Sequence, residues 1–198
     1  MKTTITKAKA RKESIIKRQL LDNSLWKKKS NIIQDKLINL PFFKEADTIL
    51  CYMDVRGETG TEHIIKMALK ENKKVALPKS YDSGIMEFFY IESLDDLIIG
   101  KYNIKEPKGS NRCPGDKGVL VMPGTAFDKL CNRVGYGKGY YDRYLKNHKN
   151  LKTAAICFSF QIYEEIEHND HDIKPNVIIT EKEIIYAKQS SKWSNDAS

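Results

Sequence analysis

Residues 118–145 read GVLVMPGTAFDKLCNRVGYGKGYYDRYL, and this stretch decides the fold. The run at 118–122 is apolar throughout, as a strand covered on both faces of a parallel sheet must be. It stops at Pro123 and Gly124. Glycines then recur at alternate positions, Gly135, Gly137 and Gly139, with the cations Arg133 and Lys138 among them. The segment YYDRYL at 140–145 starts a helix. Glycines let a backbone turn its N–H groups inward and approach an anion closely, and a helix N-terminus adds the positive end of its dipole. Strand, glycine loop and helix with cations inside form a holder for a polyphosphate.

Two common phosphate loops are excluded. Lys138 is not followed by Ser or Thr, so the segment is not a Walker A loop, and G-Y-G-K-G is not the dinucleotide fingerprint. On the glycines and charges alone, a surface loop with two solvated cations is an equally good reading.

Outward from this stretch, helical and strand patterns alternate, which predicts the α/β class. The first forty residues carry Ile15, Ile16, Leu20, Leu25, Trp26, Ile32, Ile33, Leu37 and Leu40 at helical spacing, and Asp22-Asn23-Ser24 offers an N-cap for a second helix. Pro41 is expected to end the helical region. Strands are predicted over 48–53, 74–78, 85–91, 153–158 and 176–180, the last followed by a hairpin to 184–187. A helix capped by Thr61 and a short one over 94–98 complete the set. Lys7 and Arg11 stand four apart on one face of the first helix, which by residue type alone reads as a solvated basic face. Glu58, in a polar turn after a strand, sits where ligands meet an open α/β sheet; a solvated carboxylate is the plainer reading.

The length of 198 residues suits one domain, expected over 1–188, with a polar, aperiodic and disordered tail at 189–198. No apolar run approaches the roughly 18–20 residues that cross a bilayer, and the basic N-terminus lacks the apolar stretch of a secretory signal. Four scattered cysteines without a C-x-x-C pair point to free thiols in a cytoplasmic setting. The formal charge of +8 implies anionic partners without naming them. Two histidines three apart, His168 and His171, are weak evidence for zinc. A basic nucleic-acid-binding module and another ATP-using ligase or kinase are the competing classes. Against the first, Asp142 beside a phosphate site would repel phosphate unless a metal intervened.

Taken whole, residues 123–145 resemble the signature of 5-formyltetrahydrofolate cyclo-ligases (methenyltetrahydrofolate synthetases), roughly P-G-x-A-F-D-x-x-G-x-R-L-G-x-G-x-G-Y-Y-D-R-x-L. Cys131 replaces a glycine of that pattern, although cysteine does not readily take positive φ; Val134 replaces a leucine. Four shorter motifs agree in order: K-x-x-x-R at Lys7 and Arg11, E-x-x-T at Glu58 and Thr61, the segment 100–107 with Asn103 in place of a glycine, and His171-Asp172.

The resemblance implies a mostly parallel open sheet with helices on both faces. It implies ATP- and Mg²⁺-dependent conversion of 5-formyltetrahydrofolate, which can carry a polyglutamate tail, to 5,10-methenyltetrahydrofolate, ADP and phosphate. Lys7, Arg11, Arg133, Gly135, Tyr136, Gly137, Lys138, Gly139, Tyr140, Tyr141 and Asp142 would bind ATP. Arg133, with a bidentate grip on phosphate, Lys138 and Asp142 would be catalytic, and Asp142 and Asp172 would hold Mg²⁺. Val55, Glu58, Tyr102, Tyr140 and Tyr141 would line the folate site. A cytoplasmic monomer that binds neither nucleic acid nor membrane is the expectation.

Overall fold

A computed structural model describes residues 4–82, 84–100, 103–169 and 171–188. Three helices open the chain: α1 (Lys7–Gln19), α2 (Asn23–Asn39) and α3 (Pro41–Lys44). Thr6 and Asp22 cap the first two through their side chains, accepting from Lys9 N at 3.2 Å and Leu25 N at 2.9 Å. Pro41 does not end the helical region. It occupies the first turn of α3, where a missing N–H costs nothing, and α3 buries Phe42 and Phe43.

The chain then alternates through β1 (Thr48–Leu50), α4 (Glu62–Lys70), β2 (Lys74–Ser80) and β3 (Met86–Ile91), followed by a small hairpin, β4 (Leu97–Ile99) and β5 (Lys105–Pro107). The hairpin corrects the helix expected over 94–98: only Leu94–Asp96 turn as 3-10 helix before the chain extends. Thr61 stands at the α4 N-cap position without capping it. Its hydroxyl donates to Tyr52 O at 2.7 Å, and Gln34 Oε1 takes the N–H of His63 at 3.1 Å instead.

After β5 come β6 (Val119–Met122), β7 (Ala126–Asp128), β8 (Arg133–Val134), α5 (Tyr140–Asn147), β9 (Lys152–Ile156), β10 (Ile162–Tyr163), β11 (Val177–Ile179) and β12 (Ile184–Tyr186). The main sheet runs β12-β11-β9-β6-β1-β2-β3. Its five inner strands are parallel, and β3 and β12 pair antiparallel at the edges. Strands β1, β6 and β11 are buried at every residue, which is why the sequence shows apolar runs there rather than alternation.

Successive side chains still divide between the two faces. Ile49, Val119 and Val121 pack with Ile33, Leu37, Ile64 and Ala68 of α2 and α4, while Leu50, Leu120 and Met122 pack with Tyr144 and Leu145 of α5. Helices therefore cover both faces. A smaller sheet, β10-β7-β8, receives α1, with Ala10 against Ala126, Val134 and Ile166.

The chain leaves β1 toward β2 on one side, and leaves β6 toward β9 on the other. Where strand order reverses, the loops beyond the carboxyl ends part and leave a crevice. That crevice lies beyond Leu50 and Met122.

Candidate active site

A cavity of about 580 Å³ opens at this switch point. Tyr52 and Met53 line it beyond β1, Pro78 and Ser80 from β2, and Pro123 and Gly124 beyond β6. The glycine loop forms one wall. Gly137 has φ 94° and Gly139, the N-cap of α5, has φ 65°, a backbone that side-chain-bearing residues rarely adopt. A Cβ on Gly139 would lie 2.8 Å from Arg143 Nη1. Arg143 staples this loop to the turn before β3, donating to Lys138 O at 2.7 Å and to Gly84 O at 2.7 Å.

Docking of Ala10 on the small sheet turns the Lys7 and Arg11 face of α1 toward the glycine loop, and both residues line the cavity. They do not form a purely solvated face. Arg11 Nε donates to Gly135 O at 2.9 Å, and Lys7 pairs with Asp172. Burial raises the Asp172 carboxyl, but Lys7 and the Asn169 N–H outweigh it and hold the group below its ordinary range. Lys138 is exposed at the rim.

Arg133 is 8% exposed. Its Nη2 donates to Asp142 Oδ1 at 3.0 Å, its Nη1 to Pro123 O at 3.3 Å, and it covers the Tyr141 ring at 5.5 Å. The bidentate fork expected from the sequence is thus turned partly onto the protein itself. Asp142 Oδ1 also accepts from Ile173 N at 3.3 Å. Among the described residues Asp142 spends only Oδ1, and Asp172 spends only Oδ2, on Lys7 and on Asn169 N at 2.7 Å. Each retains an oxygen for a ligand. Two carboxylates beside a cationic glycine loop match the few protein oxygens that Mg²⁺ takes along with phosphates and water. No group of three or more His, Cys, Asp or Glu converges as a metal cage among the described residues.

Val55, Glu58, Met86, Ile104 and Glu106 line the same cavity, as do Tyr136, Tyr140 and Tyr141, and Tyr136 reaches the Glu58 carboxylate. Glu58 is 4% exposed, and its Oε2 accepts from Val55 N at 3.1 Å. Burial pushes its carboxyl up to about 7, against the Val55 N–H and the Arg18 cation, which lower it. Tyr102 lies outside the described residues.

The structure therefore brings together the sequence-predicted residues in one cavity, apart from Tyr102. Sequence reasoning missed Arg18 and Arg56, whose guanidinium carbons stand 5.6 Å and 5.7 Å from the Tyr136 ring. Arg18 had a signal, since it follows Arg11 by two helical turns on the same stripe. Arg56 offered only its charge in a turn.

No helix among the described residues is long and apolar enough to cross a membrane. The four cysteines are free and buried. Cys131, expected to resist positive φ, adopts φ 61°, and Asn103 adopts φ 60°. Both take the left-handed backbone that glycine adopts most readily.

The model of the 5-formyltetrahydrofolate cyclo-ligase family matches residues 3–181. A Schizosaccharomyces pombe protein named as a probable 5-formyltetrahydrofolate cyclo-ligase is 31% identical, covering 85% of this chain and 95% of its own. The mouse 5-formyltetrahydrofolate cyclo-ligase is 30% identical over 78% of this chain and 83% of its own. The NMR structure of Aquifex aeolicus 5,10-methenyltetrahydrofolate synthetase superposes with a TM-score of 0.83 at 30% identity, covering 92% of this chain and 93% of the other.

Proposed function

The chain belongs to the 5-formyltetrahydrofolate cyclo-ligase family and is a ligase, and we propose that it joins MgATP hydrolysis to ring closure of 5-formyltetrahydrofolate. The products are 5,10-methenyltetrahydrofolate, ADP and phosphate. One observation carries this reading: a single cavity is lined both by the cationic glycine loop and by a buried carboxylate, Glu58. Phosphate chemistry suits the first, and the N–H donors of a pterin suit the second.

The chemistry explains why both are needed. An N-formyl oxygen is a poor leaving group. It attacks the γ-phosphorus of ATP, a formyl O–P bond forms, and the bond to ADP breaks. The second folate nitrogen then attacks the formyl carbon and loses its proton, and the C–O bond breaks to release phosphate. The protein supplies position and charge rather than a nucleophile.

Backbone N–H groups across Gly135, Gly137 and Gly139, with the start of α5, cradle the phosphates. Lys7, Arg11, Lys138 and Arg133 offset their charge, each charge-assisted hydrogen bond contributing about 1.5–3 kcal/mol. Asp142 and Asp172 would hold Mg²⁺, which supplies neutralisation of the charge that builds on the transferring phosphoryl group. Tyr140 and Tyr141 separate nucleotide from folate, and Val55 and Glu58 orient the pterin. The enzyme acts as a cytoplasmic monomer in this reading, and its net charge of +8 suits polyglutamylated substrates.

Folded protein mixed with 5-formyltetrahydrofolate, ATP and Mg²⁺ should develop the strongly absorbing methenyl chromophore, dependent on all three. Absence of the chromophore would overturn the proposal.

A further inference from the structure

Arg18 stands behind the cavity wall. It does not line the cavity, but its two polar neighbours do, Glu58 from the turn after β1 and Tyr136 from the glycine loop. The residue is 3% exposed. Its Nη2 donates to the Tyr136 hydroxyl at 2.5 Å, and its Nη1 lies 4.0 Å from Glu58 Oε1. Neither Nε nor Nη1 has a hydrogen-bond partner among the described residues. A buried guanidinium with most of its donors unused is a poor device for stability, since desolvation outweighs what a partly satisfied pair returns. Its neighbours suggest another role. It touches both the Tyr136 hydroxyl of the glycine loop and the Glu58 carboxylate, which Tyr136 itself also reaches.

We propose that Arg18 is a positioning residue whose guanidinium ties Glu58 to Tyr136, fixing the carboxylate where the pterin N–H donors arrive and aligning it with the nucleotide wall. This rests on the reading that Glu58 meets the pterin. Arg18 acts through Glu58 and Tyr136 and touches neither substrate.

The arrangement has a consequence for pH. Glu58 is faced by Arg18 from α1, Tyr136 from the glycine loop, Tyr141 from α5, Tyr52 after β1, and Asp54 in its own turn. Arg18 is the nearby cation that favours the charged carboxylate, against burial and Asp54, which disfavour it. Without the cation, Glu58 should hold its proton to higher pH.

The test measures kcat/KM for 5-formyltetrahydrofolate from about pH 6 to pH 9 in wild type, Arg18→Met and Arg18→Lys, with melting curves to establish folding. Arg18→Gln serves as a second uncharged variant should the methionine variant not fold. The uncharged variant should lose about tenfold at neutral pH, and its acid limb should move up by about one pH unit. Arg18→Lys should return the limb toward wild type, which a purely structural role would not require. An unmoved limb in a folded uncharged variant, or a lysine variant displaced as far as the uncharged one, overturns the proposal. A wild type inert at every pH would instead sink the reaction assigned to the site, and this proposal with it.

Discussion

Arg133 Nη2 reaches Asp142 Oδ1 at 3.0 Å, joining the two ends of the glycine loop across its mouth. The pair sets a cation against the carboxylate assigned to magnesium, so each orients the other before nucleotide arrives.

Arg133→Ala removes both a cation assigned to phosphate and the partner that orients Asp142. Turnover should fall by about tenfold or more, since one charge-assisted hydrogen bond of ~1.5–3 kcal/mol corresponds to at least that factor. Steady-state kinetics at saturating ATP measures it, and wild-type kcat would refute the role.

Asp142→Asn keeps the side-chain shape and removes the charge. The Mg²⁺ concentration for half-maximal activity should rise by about fivefold or more, because few protein oxygens hold this ion and losing one charged ligand is felt. A magnesium titration that superposes on wild type counts against Asp142 as a ligand.

Glu58 sets activity against stability. Its folded carboxyl titrates near 7, above the ordinary value of 4.5. Between those values the folded state binds the extra proton, so stability falls as pH rises through that window, and the full penalty is present above about pH 7. Glu58→Gln imitates the protonated acid. It should raise Tm at about pH 8 by several degrees, for a penalty on the order of 3 kcal/mol, with no gain near pH 4. The same variant should lose kcat/KM for the folate. A lower Tm at pH 8 would contradict the sign.

Cys131 carries φ 61° with its side chain wholly buried. Cys131→Gly relieves left-handed strain of about 1–2 kcal/mol but gives up buried contacts, so urea denaturation should place it within about 1 kcal/mol of wild type. Cys131→Val adds β-branching to a backbone that rejects it and should cost about 2 kcal/mol or more. A valine variant as stable as wild type would contradict the strain.

Strands β6 and β11 were legible because they are apolar from end to end, and the glycine loop because the whole motif at 123–145 resembles a family signature, its glycine spacing alone leaving a solvated loop equally open. The capping role of Asp22 was also readable, since it precedes an apolar stripe. The strands β7, β8 and β10 were not. At two or three residues each they show no periodicity, and they exist because α1 and the main sheet hold them. Pro41 was misread because a proline that stops one helix can serve as the first turn of the next. The α4 cap was misassigned because Gln34 Oε1, from α2, accepts the N–H groups of His63 and Ile64, while the Thr61 hydroxyl is turned to donate to Tyr52 O, contacts that only the fold brings together. Arg18 escaped notice among the charges of α1, since helical spacing tells which face a cation shares and not how deeply that face is buried.

The most direct test of the central claim is a crystal structure with Mg²⁺ and a non-hydrolysable ATP analogue. The triphosphate is expected over Gly135, Gly137 and Gly139, within hydrogen-bond reach of Lys7, Arg11 or Arg133, with the metal at Asp142 or Asp172. A triphosphate bound elsewhere, with the glycine loop left empty, would contradict the claim.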